Sequence, residues 1–265
     1  MIPQGQRVIV LQNEDEMADF MIKKWVEVSQ AAIEREGFFS AALSGGKTPV
    51  PLYQKLALFK KGLDWEKTHI FLVDERFVPF HHPDSNYHML KDTLLDQVPI
   101  PRQNIHPVPA GEATAEIAAR KYEEDLRTFF KSSPGKIPDV DLILLGMGED
   151  GHTASLFPGR LPFNEPGQLV AAVMLDEMRH NRITLTLPVI NQTKTIIFLV
   201  TGKNKAEVLG KVIYKKDSTL PASLVAPKMG NLIFLSDLEA SSQLSYHKEG
   251  SQGDACRNCC RPRRV

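Results

Sequence analysis

One short segment of this 265-residue chain concentrates more chemistry than any other: Gly146-Met147-Gly148-Glu149-Asp150-Gly151-His152. Three glycines here carry two carboxylates and an imidazole, directly after the expected buried strand 140–145. A turn alone would not need the imidazole. Held in a glycine-rich loop beside a carboxylate, a histidine can serve as a base near neutral pH. His152 is therefore the candidate general base, with Asp150 as its neighbour.

Other segments offer places for an anion. In Ser44-Gly45-Gly46-Lys47-Thr48-Pro49 the glycines let backbone N–H groups approach a ligand, and Pro49 is placed to start a helix whose end adds partial positive charge. A plain strand-to-helix turn is the alternative. Gly46-Lys47-Thr48 does not extend to a Walker A loop, because the required first glycine would fall at Ala41. Asp74-Glu75-Arg76 taken alone reads as a solvated charge cluster, but Arg76 can grip a phosphate or carboxylate bidentately and Asp74 can accept from sugar hydroxyls. Arg182 and Lys205, the latter three residues after Gly202, are candidate phosphate ligands or ordinary surface cations. His81-His82 reads as a solvated loop pair without a carboxylate or cysteine partner at metal-ligand spacing. No GxSxG or HExxH pattern supports a serine hydrolase or a zincin.

These residues need a frame. Short apolar runs alternate with amphipathic stretches, which predicts an α/β chain with a largely parallel sheet. Strands are expected at 7–11, 38–43, 69–73, 140–145, 169–173, 182–187 and 195–200. A long helix is expected over 14–36, where Met17, Phe20, Met21, Trp25, Val28 and Ala32 form one stripe and Gly37 ends it. Further helices are expected over 86–95, around Ala118, Tyr122, Leu126 and Phe129, and over 204–214. The Ser44, Asp74, Gly146 and Gly202 segments all follow predicted strands, and in a parallel α/β sheet ligands bind beyond the strands' carboxyl ends. No internal repeat or long low-complexity linker divides the body, so one domain is expected.

Composition narrows the function classes. Hydrophobic residues at 42% and charged residues at 24% are ordinary globular values, against disorder or a fibrous repeat. Lys plus Arg and Asp plus Glu number 32 each, but residues 246–265 hold five basic and two acidic side chains, leaving the body net acidic by three. Such a body has no broad electrostatic footprint for nucleic acid. No 18-residue apolar run exists to span a membrane, and the N-terminus shows no secretory pattern, so a cytoplasmic location is expected. Cys256, Cys259 and Cys260 all lie in the last twenty residues; with only His247 nearby they lack the second ligand pair of a zinc site. Residues 1–245 are read as the domain and 246–265 as a polar tail without a fold, with no metal and no cofactor. Oligomeric state stays open.

Taken together, Ser44-Gly45-Gly46-x-Thr48-Pro49, Asp74-Glu75-Arg76, Ser85-Asn86, the run from Gly146 through His152-Thr153-Ala154-Ser155-Leu156-Phe157-Pro158, Arg182-Ile183-Thr184 and Gly202-x-x-Lys205-Ala206 resemble the 6-phosphogluconolactonase family. The resemblance covers residues 8–238. It implies a doubly wound, single-domain α/β fold and metal-free hydrolysis of 6-phosphogluconolactone, a sugar phosphate, in the oxidative pentose phosphate pathway. It also implies that His152 is the general base beside Asp150, that Ser44, Gly45, Gly46, Arg182 and Lys205 surround the phosphate, and that Asp74 and Arg76 line the substrate pocket. The related glucosamine-6-phosphate deaminases read G-H-I-A-F-N-E-P; here Phe163-Asn164-Glu165-Pro166 begins eleven residues after His152 and reads as coincidence, and Arg76 stands where deaminases place a tyrosine. A non-catalytic sugar-phosphate sensor is a further alternative, but nothing before Arg7 supplies a DNA-binding module.

Overall fold

The computed structural model describes residues 6–59, 62–160, 167–175 and 180–244. The Phe163 to Pro166 string and the tail 246–265 lie outside the described residues.

The chain opens with strand β1 (Gln6–Leu11) and helix α1 (Glu14–Glu36). Local chemistry sets the helix limits: Asn13 caps the Glu16 N–H, three acidic residues occupy the first turn, and Gly37 closes the last turn at φ 82°. Strand β2 (Phe39–Leu43) is wholly buried and leads into α2 (Val50–Leu58). β3 (Thr68–Leu72) is followed by β4 (Asp74–Arg76), α3 (Asn86–Thr93) and a short β5 (Ile105–His106). Then come α4 (Ala115–Phe129), β6 (Leu142–Leu145), β7 (Val170–Val173) and β8 (Arg182–Leu185). The chain continues through α5 (Leu187–Gln192), β9 (Thr195–Val200), α6 (Ala206–Gly210) and β10 (Asn231–Asp237).

Seven strands form one parallel sheet in the order β1-β10-β9-β6-β2-β3-β5. From β2 the chain winds outward through β3 to β5; from β6 it winds the other way through β9 to β10. The switch point lies between β2 and β6, where their connections diverge and leave a crevice. The fold is the expected doubly wound single domain. Trp25 of α1 meets Phe39 of β2 edge-on at 5.2 Å, and Phe198 of β9 stacks on Phe234 of β10 at 4.7 Å. At the opposite end of the switch point the buried Asp141 joins β2 to β6, accepting the Ser40 N–H at 2.9 Å and pairing with Arg35 at 2.8 Å and Lys194 at 2.9 Å.

The differences from the sequence expectations are local. The 182–187 strand stops at Leu185, because Leu187-Pro188 opens α5. The 204–214 helix is a composite: a 3-10 turn, the single α turn of α6 and a π segment at Lys211–Lys215. β10, unassigned from sequence, sits inside the main sheet between β1 and β9. Its apolar run Leu232-Ile233-Phe234-Leu235 is too short for periodicity to type, so its partners decide its state. β4, β8 and β7 form a separate antiparallel sheet, which turns Asp74-Glu75-Arg76 from a loop into a strand.

Candidate active site

The crevice at the switch point is a cavity of about 270 Å³. Ser44, Gly45 and Gly46 line it from the end of β2, Asp74 and Arg76 from beyond β3, His152 from beyond β6, and Lys205 from beyond β9. Asp150 stands behind His152. Arg182 is not among the lining residues; it lies one strand away, opposite Arg76 in the β4 to β8 ladder.

His152 is held by its own loop. Its Nδ1 lies 2.5 Å from Asp150 Oδ1, which also accepts the His152 backbone N–H at 3.1 Å. Burial pushes the Asp150 carboxyl up, but the His152 N–H bond and the charge of the ring outweigh it and hold the group below its ordinary value. An ionised carboxylate only accepts, so Nδ1 must donate and the neutral ring keeps its lone pair on Nε2. The Phe157 ring packs against the imidazole at 4.8 Å. Gly148 makes this packing possible: a Cβ there would fall on the His152 ring and on Asp150 Oδ1.

The rest of the loop is tied to distant elements. Ser155 Oγ donates to Asp74 Oδ2 at 2.6 Å, Thr153 Oγ1 donates to the Gly146 carbonyl at 2.9 Å, and Ala154 takes a left-handed φ of 51° at the cavity wall. A non-glycine residue persists in that region only where its surroundings hold it.

The turn after β2 presents backbone rather than side chain. The Ser44 hydroxyl donates its proton to the Leu144 carbonyl at 2.6 Å, so it has none left for an anion. Gly46 sits at φ 92°, and a Cβ on Gly45 would collide with the Asn86 amide. Asn86 in turn donates to the Asp74 carbonyl at 2.8 Å and lines the cavity.

Glu75 is buried and solvated by protein. It accepts the N–H groups of Arg76, Asn86 and Tyr87 and the Ser85 hydroxyl, all between 2.7 and 3.0 Å. Burial still pushes its carboxyl above the ordinary value. The solvated-cluster reading of this triplet thus fails for Glu75, which anchors the start of α3 and with it Asn86. Arg76 Nη1 donates to the Asp84 carbonyl at 2.7 Å and Arg182 Nη1 to the His180 carbonyl at 2.6 Å. Burial first, then repulsion from Arg76, holds the Arg182 guanidinium below its ordinary value.

Asn86, Ser155 and Phe157 have roles that their motifs do not mark: Asn86 and Ser155 meet Asp74 across 12 and 81 positions, and Phe157 meets His152 only because the loop folds back on itself.

Arranged in this way, the cavity offers an oriented base, exposed backbone at a helix start, and cations at its rim. A family model described as glucosamine-6-phosphate isomerases/6-phosphogluconolactonase matches residues 12–234. A 6-phosphogluconolactonase of Nostoc sp. is 44% identical over 216 residues, covering 81% of this chain and 88% of that protein. One from Synechocystis sp. is 41% identical over 238 residues, covering 85% and 97%. The crystal structure of 6-phosphogluconolactonase from Thermotoga maritima superposes with a TM-score of 0.75 at 31% identity, covering 87% of this chain and 99% of that one.

Proposed function

The chain belongs to the glucosamine-6-phosphate isomerase/6-phosphogluconolactonase family, and on that premise we propose that it hydrolyses 6-phospho-D-glucono-1,5-lactone to 6-phosphogluconate with His152 as the base that activates water. The reaction is a step of the oxidative pentose phosphate pathway. The observation that carries the mechanism is the Asp150-held ring of His152 facing the same cavity as the Gly45-Gly46 turn and Lys205.

A δ-lactone is an activated ester, so no covalent intermediate is needed. Water attacks C1 while His152 Nε2 takes its proton, and the carbonyl oxygen becomes an oxyanion. Collapse breaks the bond from C1 to the ring oxygen. The imidazolium returns its proton to that oxygen, giving the open hydroxy acid, which ionises. Far from C1, the phosphate binds at the Gly45-Gly46 backbone, Lys205 and Arg76, with Arg182 behind Arg76, and so holds the ring in place for attack. Asp74, fixed by Ser155, accepts from sugar hydroxyls. No metal or redox cofactor enters these steps.

The test is a coupled assay. Lactone consumption linked to 6-phosphogluconate dehydrogenase is expected, without ammonia release from glucosamine 6-phosphate. Ammonia release would make the chain a deaminase; binding of 6-phosphogluconate with neither activity would make it a sensor.

A further inference from the structure

The motif that function leaves unused is His81-His82. Three residues gather at the rim of the cavity without lining it: His82, Asp84 and, 96 positions beyond Asp84, His180. One ligand atom from each lies within 4.8 Å of the others. The sequence shows no such partner set, because His180 arrives only when the approach to β8 folds against the loop after β4.

We propose that His82, Asp84 and His180 form a binding site for a divalent zinc-type cation, distinct from the catalytic groups. The donor set of two imidazoles and one carboxylate suits zinc and its neighbours better than magnesium or calcium, and three protein ligands leave one position for water. Tetrahedral zinc at ordinary bond lengths places its ligand atoms about 3.3 Å apart. His180 Nε2 and Asp84 Oδ2 already stand at 3.2 Å, and His82 Nδ1 stands 3.9 Å from the same oxygen. The Asp84 N–H, which can only donate, meets His82 Nδ1 at 3.1 Å, so that nitrogen is unprotonated and carries a lone pair, and an ion binding there takes the place of this hydrogen bond. The two imidazole rings lie 5.1 Å apart, edge to face. All three side chains are partly exposed, at 36%, 56% and 43%, so an ion reaches them and they can close on it without disturbing the core.

The position gives the ion a consequence. The Asp84 carbonyl accepts from Arg76 and the His180 carbonyl accepts from Arg182. A cation clipping residue 180 to residues 82 and 84 holds both carbonyls, and therefore both guanidinium groups, in fixed relation. The site does not depend on what reaction the cavity performs, and its test reads metal binding rather than turnover.

The full chain, stripped by chelator, is titrated with cobalt(II) and competed with zinc(II), beside His82→Ala, His180→Ala and a variant with Cys256, Cys259 and Cys260 all changed to Ser. One saturable equivalent without a thiolate-to-cobalt charge-transfer band is expected, kept in the serine variant and weakened at least about tenfold in each histidine variant. Zinc should also raise the melting temperature of the wild type and of the serine variant but not of the histidine variants, whose metal-free melting temperatures serve as the folding control. Absence of saturable binding overturns the proposal. So does binding that both histidine variants retain and the serine variant loses.

Discussion

Arg76 and Arg182 are register partners across the antiparallel pair of β4 and β8, two cations side by side in a partly buried strand ladder. Like charges directly opposite one another destabilise a sheet. Each guanidinium is held by one backbone carbonyl, which orients it without neutralising it. Such a pair gains most when an anion arrives, which is what a phosphorylated substrate brings.

Arg76 borders the cavity and Arg182 stands behind it, so their substitutions should differ. Arg76→Ala is expected to raise KM about tenfold to a hundredfold, the range of a lost charge-assisted hydrogen bond, and Arg182→Ala to raise it less. Steady-state kinetics on the lactone decide the order. An equal or larger effect at Arg182 would mean that it contacts the substrate itself.

His152→Ala is expected to lower kcat by about 10² to 10⁴ with little change in KM, since it removes the base and leaves the phosphate contacts. Asp150→Asn should cost less, at least about tenfold, because an amide can donate as well as accept and no longer forces the proton onto Nδ1. Near-normal turnover in His152→Ala would refute the base assignment.

Gly148→Ala places a methyl group where the His152 ring and the Asp150 carboxylate now sit. Turnover should fall towards that of His152→Ala while the melting temperature changes little, because the groups the methyl displaces are the partly exposed His152 and Asp150 side chains and not core residues. A variant with wild-type kcat would show that the pair has room to shift.

His69 lies among Phe38, Phe129 and His106, with its Nδ1 3.2 Å from His106 Nε2. Burial, with the charge of His106 second, lowers its pKa from 6.5 to about 4. The unfolded chain therefore takes up this proton first. Stability from this group is complete above about pH 6.5 and is lost progressively as pH falls towards 4. The wild type should lose more melting temperature between pH 7 and pH 4.5 than His69→Gln. Parallel losses would remove His69 as the source.

The proposed mechanism uses residues 1–245 alone. A chain ending at Ser245 is expected to keep kcat and KM within about twofold of the full chain, in line with the small effect of changes away from such sites. A larger loss would give the last twenty residues a part in the site.

What the sequence by itself determined is what short-range forces determine. The limits of α1 follow from Asn13, the acidic first turn and Gly37, all within a few residues of the bonds they make. The order of strand, loop and helix, and hence the placing of Ser44, Asp74, His152 and Lys205 after strands, follows from periodicity and glycine in the same way. Tertiary structure alone decided the rest. It set β10 between β1 and β9, and it put the switch point between β2 and β6 so that four distant loops share one crevice. It turned the Ser44 hydroxyl inward to Leu144, 100 positions away, and joined Ser155 to Asp74 across 81. It buried Glu75 as an anchor and brought His180 to His82. The difference is physical: caps, turns and helical faces are satisfied by neighbours along the chain, whereas a strand pairing or a long-range hydrogen bond depends on which segments the topology makes adjacent.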